Sequence, residues 1–266
     1  MKRTLGPLET QVLAYGQLRQ LRTIRTGELA DSLRLSGRQE REVLSRLAQG
    51  GLIARVRRGL YLLPPRLPLG GTWGPDEVLA LNTLMEDCGA GYQVCGPNAF
   101  NRYGFDEQVS TRLYAYNSRL SGDRAIGTVA LTLIKVADDR LGGTEKVQTP
   151  EGLTAIYSSR VRTLVDAVYD WSRFSSLPRA YEWIRRELAS DRVAASELAR
   201  MAVRYGNQGT LRRIGALLEQ ESVGEPVLRT IRKALRPSAS AIPWIPTGSR
   251  RGKVNRRWGV ILNEQS

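Results

Sequence analysis

Histidine is absent from all 266 residues of the chain. Its absence removes Ser-His-Asp triads, histidine-ligated zinc and imidazole acid–base chemistry. Carboxylates alone can carry catalysis, so an enzyme is disfavoured, not excluded. Only two cysteines occur, Cys88 and Cys95. They are no close-spaced metal pair, and nothing beside them completes a zinc site. A reduced, cytoplasmic protein is the natural reading. No apolar run approaches the roughly 18 residues that a membrane helix needs. Met1-Lys2-Arg3 is not followed by an apolar stretch, so no secretory signal is expected. Neither a Gly-x4-Gly-Lys phosphate loop nor a Gly-x-Gly-x-x-Gly turn is present. The nucleotidyltransferase pattern, Gly-Ser ahead of an Asp-x-Asp strand, is also missing, because Gly248-Ser249 has no aspartate after it. No internal repeat is legible. No catalytic residue, metal or cofactor is expected.

What is plentiful is positive charge. There are 40 Lys and Arg against 26 Asp and Glu, a net +14 that favours a polyanionic partner. The excess sits at the two ends. Residues 1–68 carry 13 basic and 5 acidic side chains, and residues 229–266 carry 9 and 1, against 18 and 20 in the 160 residues between. The length allows two or three domains.

Residues 7–63 read as a winged helix-turn-helix. Pro7 opens a helix with Leu8, Val12, Tyr15 and Leu18 at helical spacing. Thr26 can cap a short second helix carrying Leu29 and Leu33. After the turn Leu33-Arg34-Leu35, Ser36 can cap a third, with Gln39 placed for a capping box. That helix carries Val43, Leu44 and Leu47 inward and stops at Gly50-Gly51. Two β-prone runs, residues 52–56 and 60–63, flank Arg57-Arg58-Gly59 and make a hairpin, the wing.

The other face of the third helix is polar and mostly basic. The expected DNA-binding residues are Thr26, Ser36, Gly37, Arg38, Gln39, Arg41, Glu42, Ser45 and Arg46, with Arg55, Arg57 and Arg58 on the wing. A helix fits the major groove, where Arg bridges O6 and N7 of guanine and Gln pairs with adenine. Wing arginines suit phosphate or the minor groove. Arg38 and Glu42 are also spaced as an i,i+4 pair. A second nucleic-acid patch is expected at Arg250, Arg251, Lys253, Arg256 and Arg257, with a solvated tail as the equal alternative.

The expected organisation is α+β: the winged helix-turn-helix over 1–64, a proline-stiffened linker over 65–74, and an α+β domain over 75–266. Within that domain a helix starts near Pro75 with Val78, Leu79, Leu81 and Leu84 inward. A strand at 92–95 and a short helix from Pro97 to Tyr103 follow. Strands are expected at 111–116, 127–136 and 153–157, with 127–136 central in a sheet. Ser159 can cap a helix through Val168. Helices are read at 178–189, 194–204, 209–220 and 225–235, then a basic tail over 236–266 closing on a strand at 256–263. Trp244 and Trp258 read as apolar plugs for that tail. Among the carboxylates, Asp138-Asp139 reads as a polar turn, Glu86-Asp87 as a further candidate pair, and Asp166 as the partner of Arg162.

Four segments in order resemble the AbiEi family of antitoxins from type IV abortive-infection toxin–antitoxin systems. They are Arg57-Arg58-Gly59-Leu60-Tyr61-Leu62-Leu63-Pro64, then Cys95-Gly96-Pro97-Asn98-Ala99-Phe100 through Tyr103-Gly104-Phe105, with Tyr103 where that family commonly has histidine. Thr149-Pro150-Glu151-Gly152 with Ser159-Arg160-Val161-Arg162-Thr163-Leu164-Val165-Asp166 is the third, and Asn255-Arg256-Arg257-Trp258-Gly259-Val260-Ile261-Leu262-Asn263 the fourth. The resemblance implies an N-terminal domain that represses its own operon at inverted repeats in promoter DNA. It also implies a C-terminal domain that counters a nucleotidyltransferase-like toxin without a stable complex. The expected assembly is a monomer or a DNA-induced dimer, with no membrane partner. The alternatives are a ligand-responsive transcriptional regulator, or an enzyme acting on nucleic acid with the winged helix as its targeting module.

Overall fold

Helices and sheets both build the chain, which is the α+β class read from the sequence. The computed structural model describes residues 5–66 and 71–263. Residues 1–4, residues 67–70 of the expected linker and residues 264–266 of the expected tail lie outside the described residues. Contacts divide the chain into two compact units. The first holds residues up to Tyr92, Thr111–Val136 and Gln148–Ala155. The second holds Gln93–Ser110, Ala137–Val147 and Ile156 onward. The described part of the expected linker falls in the first unit, where the Trp73 amide donates to the Gly51 carbonyl at 2.7 Å.

Helix α1 (Pro7–Leu18) starts at a proline whose fixed φ and missing N–H suit a first turn. Its buried face is Glu9, Val12, Leu13 and Gly16, and Leu18 is 85% exposed, not inward as its spacing suggested. Gly16 explains the rotation. A Cβ there would overlap the Leu63 side chain, so only glycine lets the helix lie so close. The chain continues through β1 (Thr23–Arg25), α2 (Leu29–Leu33), α3 (Gly37–Gln49), β2 (Ala54–Arg57) and β3 (Leu60–Leu62). These strands form a sheet in the order β1-β3-β2, antiparallel throughout. Three residues were too few for β1 to show a period.

Helix α4 (Glu77–Asp87) is capped by Asp76, whose carboxylate accepts the Val78 and Leu79 amides at 2.8 and 2.9 Å. Strand β4 (Tyr92–Val94) and α5 (Gly96–Arg102) come next. Strands β5 (Leu113–Asn117), β6 (Gly122–Ile126) and β7 (Val129–Lys135) belong to the first unit. As expected for its apolar run, β7 is central, parallel to β5 and antiparallel to β6. Strand β6 escaped the sequence reading because four of its five residues are exposed and nothing alternates.

A 3₁₀ turn at Asp138–Arg140 precedes β8 (Thr144–Gln148) and β9 (Thr154–Ser158). In the second unit β4 runs parallel to β9, with Val94 opposite Tyr157. Helix α6 (Arg160–Tyr169) is capped by Ser159, as expected. Then follow α7 (Trp171–Phe174), α8 (Arg179–Ala189), α9 (Ala195–Tyr205), α10 (Gln208–Gln220) and α11 (Glu225–Ala234), the last four within two residues of their expected bounds. Short strands β10 (Ile242–Pro243), β11 (Lys253–Asn255) and β12 (Val260–Leu262) close the chain. The single strand expected over 256–263 is instead a hairpin. Its turn is Arg256–Gly259, bent by Asn255, whose side chain accepts the Trp258 amide at 3.3 Å. Trp244 stacks on Tyr181 at 3.8 Å between centroids, and Trp258 lies over Gly215, where a Cβ would overlap the indole. Both tryptophans are buried, so the tail is plugged onto the unit as read.

The second unit also buries a charge network. The Asp166 carboxylate accepts from Arg162 Nε at 2.9 Å and Arg140 Nη2 at 2.7 Å. Arg162 is fully buried and also donates to the carbonyls of Gly142 and Arg140, at 2.5 and 3.0 Å. Its guanidinium lies 4.1 Å from the Tyr205 ring centroid. Ser158 Oγ donates to Asp166 Oδ2 at 3.3 Å and accepts from Gln93 at 2.7 Å. Asp166 is therefore a structural anchor, as its spacing from Arg162 suggested.

Candidate nucleic-acid interface

Helix α3 is fixed at its start by the capping box read from the sequence. Ser36 Oγ accepts the Gln39 amide at 3.3 Å, and Gln39 Oε1 accepts the Ser36 amide at 2.9 Å. Val43, Leu44 and Leu47 are fully buried, each contributing roughly 1.5–3 kcal/mol by leaving water. The residue that sets the angle of α3 against α2 is Glu40, which the sequence reading passed over. Its buried carboxylate accepts the amides of Gly27 at 2.8 Å and Leu29 at 3.0 Å. Glu40, not Thr26, therefore satisfies the start of α2, because its longer side chain reaches across from the next helix. Thr26 is half-buried, and its amide donates to the Gly59 carbonyl at 2.9 Å.

The expected contact residues fall into two groups. Arg41, Ser45, Arg55 and Arg58 are exposed and make no side-chain hydrogen bond or ion pair to another described residue. Ser45 and Arg55 line a groove of about 260 Å³ between α3 and the hairpin, with Ala48, Gln49 and Tyr61. Arg38 joins this group loosely. It pairs with Glu42 at 2.8 Å, but its side chain is 85% exposed, and each partner holds the other in its charged form. Gly37 is exposed beside it.

The second group is engaged inside the protein. Ser36 and Gln39 form the capping box. Arg46 pairs with Glu9 of α1, at 3.3 Å, and Glu9 is itself buried. Arg57 binds Asp87 of α4 through both Nε and Nη2, and Arg25 of β1 joins the same carboxylate at 2.8 Å. The two guanidiniums draw the Asp87 carboxyl down to about 2, Arg57 contributing most. A carboxyl depressed in the folded state stabilises above its ordinary range and loses that contribution only as pH falls through the lowered value. The Arg25–Asp87–Arg57 clamp should thus hold unchanged from neutral pH to about pH 5. Asp87→Asn should speed hydrogen exchange at the Arg57–Leu60 amides without changing the helical dichroism. Equal exchange rates in both proteins would show that the hairpin does not depend on the clamp. Neither Arg25 nor Asp87 was legible as an anchor of the hairpin, since the partners lie 62 and 30 residues apart in sequence.

Of the second expected patch, Arg250, Arg251, Lys253 and Arg256 are exposed, while Arg257 is held by Glu219 at 3.1 Å and Glu225 at 2.7 Å. No group of three or more His, Cys, Asp or Glu that could hold a metal occurs among the described residues. No helix among them is long and apolar enough to cross a membrane.

No family model and no curated protein matches the chain. Among solved structures, the chain is similar to the crystal structure of the RV2827C protein from Mycobacterium tuberculosis, with a TM-score of 0.60 at 15% sequence identity. The match covers 98% of this chain and 92% of that one, so the two share a fold over nearly their full lengths.

Proposed function

We propose that the chain is a cytoplasmic, sequence-specific DNA-binding repressor, with residues 7–63 acting as a winged helix-turn-helix whose α3 enters the major groove. One observation carries this reading. The outward face of α3 and the adjoining hairpin present Arg41, Ser45, Arg55 and Arg58 to solvent with no side-chain hydrogen-bond or ion-pair partner among the described residues, and Arg38 held there only by an exposed pair. Such a face has the donors for base edges near its centre and for phosphates at its rim. Thr26, Gly37 and Glu42 border it, while Ser36, Gln39, Arg46 and Arg57 hold the frame that presents it. Two protomers on a two-fold site would double the readout.

The four segments that resemble the AbiEi family extend the proposal to an antitoxin that represses its own operon and counters a nucleotidyltransferase-like toxin. No catalytic role is assigned to the chain. Footprinting on the DNA upstream of its own reading frame tests the repressor reading. Two protected half-sites related by inverted symmetry are expected, and uniform, sequence-blind protection would overturn it. Co-expression of the full chain with a nucleotidyltransferase-like toxin encoded beside it tests the antitoxin reading. Growth should be rescued, and continued arrest would leave a repressor alone.

A further inference from the structure

We propose that the second unit carries its own surface for the phosphate backbone of duplex DNA, centred on Arg229, Arg232, Lys233 and Arg236 of α11 and its exit, and extended by Lys253 and Arg256 of the terminal hairpin. The inference rests on the reading of the chain as a DNA-binding protein, though not on base recognition by α3.

Residues 226–263 contain nine Lys and Arg and not one Asp or Glu. Elsewhere in this unit several arginines are matched with carboxylates, and Arg186, Arg212 and Arg213 donate to backbone carbonyls. Arg160 and Arg192 bind Glu187, Arg179 binds Asp106, and Arg185 binds Glu221. In the 226–263 stretch only Arg257 has an ion pair among the described residues, and it takes Glu219 and Glu225. The other eight cations are exposed or half-buried and form no ion pair among the described residues. Positions 229, 232 and 233 recur at helical spacing and so share one side of α11, while Leu228 and Ile231 are buried, and Arg236 follows two residues after the helix ends. The same Arg257 pins the hairpin turn to the first residue of α11, which brings Arg256 to that end of the helix. Asn255 adds a bond to Glu219 at 2.7 Å.

The chemistry of this surface selects the polyanion. Unpaired bases bind by stacking on exposed aromatic rings. The only aromatic residues of the stretch, Trp244 and Trp258, are 2% and 1% exposed. A membrane-surface helix needs an outward apolar stripe, and the large apolar residues Leu228 and Ile231 of α11 are buried, with Val227 half-buried. What remains is an array of cations without base-reading partners, which matches the rows of phosphate on a duplex.

The test uses the full chain and a variant in which Arg229, Arg232, Lys233 and Arg236 are all replaced by Gln. Each is titrated by fluorescence anisotropy against the protein's own upstream duplex, a random-sequence duplex, single-stranded DNA and anionic-lipid vesicles, over a range of salt. The slope of log Kd against log salt on random duplex should fall by about 0.9 for each phosphate no longer neutralised. Affinity for that duplex should drop at least tenfold, with the dichroism unchanged. An unchanged slope and affinity on duplex would overturn the proposal, as would a loss confined to single strands or vesicles. A parallel Arg38→Ala/Arg41→Ala variant separates the two readings. It should lose preference for the upstream duplex while keeping the slope contributed by α11. If that variant changes nothing while the four-Gln variant does, the α3 reading fails and this one stands. The reverse pattern removes this one alone.

Discussion

Asp166→Ala should destabilise the second unit by about 3–5 kcal/mol, the cost of leaving buried charge without its counter-ion. Two guanidiniums converge on one Asp166 oxygen, at 2.7 and 2.9 Å, and Arg162 has no exposed surface. The loss would not stop at the ion pair. Arg162 also holds the carbonyls of Gly142 and Arg140, so its displacement releases the segment between the 3₁₀ turn and β8. Urea titration followed by tryptophan fluorescence reads the effect, with Trp183 and Trp244 buried in this unit as reporters. Asp166→Asn should lose less, because the amide oxygen still accepts one donor. A loss below about 1 kcal/mol for the alanine variant would mean that water reaches and solvates the arginines, contrary to their burial.

Arg41→Ala should weaken binding to the upstream duplex by about 1–3 kcal/mol and relax the preference at one base position, the signature of removing a bidentate pairing to guanine. Arg41 has no ion pair among the described residues to give up. Arg38 does, but an exposed i,i+4 pair, screened by solvent, contributes little. That is less than a base contact returns, so Arg38 can trade Glu42 for DNA, and Arg38→Ala should fall in the same range as Arg41→Ala. Arg57 differs in kind. It grips a carboxylate whose side chain is 5% exposed, through two bonds, with Arg25 beside it. Gel-shift titration of the three alanine variants should thus order Arg38 and Arg41 together and Arg57 apart, its effect coming through the hairpin. If Arg41→Ala binds every duplex as the parent does, α3 does not read bases.

The parts of this molecule that were legible in the sequence are those governed by neighbours in sequence. The capping box Ser36–Gln39, the inward row Val43, Leu44 and Leu47, the Ser159 cap and the Arg162–Asp166 pair all involve residues three or four apart, where helix geometry makes spacing equivalent to contact. The helices over 178–235 were legible for the same reason. What escaped depends on distant partners. Glu40 looks like a solvated helix carboxylate until Gly27 and Leu29 are brought to it. Asp87 looks like half of an acidic pair until β1 and β2 deliver two arginines. Leu18 looks apolar enough to be inside, but the close packing of Gly16 on Leu63 turns its face outward. For the candidate site, the sequence marks the arginines as one basic group. Which of them are spoken for inside the protein could only be read from the fold.

The role of Glu40 separates two kinds of position along α3. Its carboxylate sets how the two helices cross, and it is buried where Arg38, Arg41 and Ser45 are exposed. The packing contacts of α3 and its exposed polar side chains are therefore on different sides of one helix. On the proposed reading, exchanging three or four outward side chains would change the DNA target without renegotiating how the domain folds.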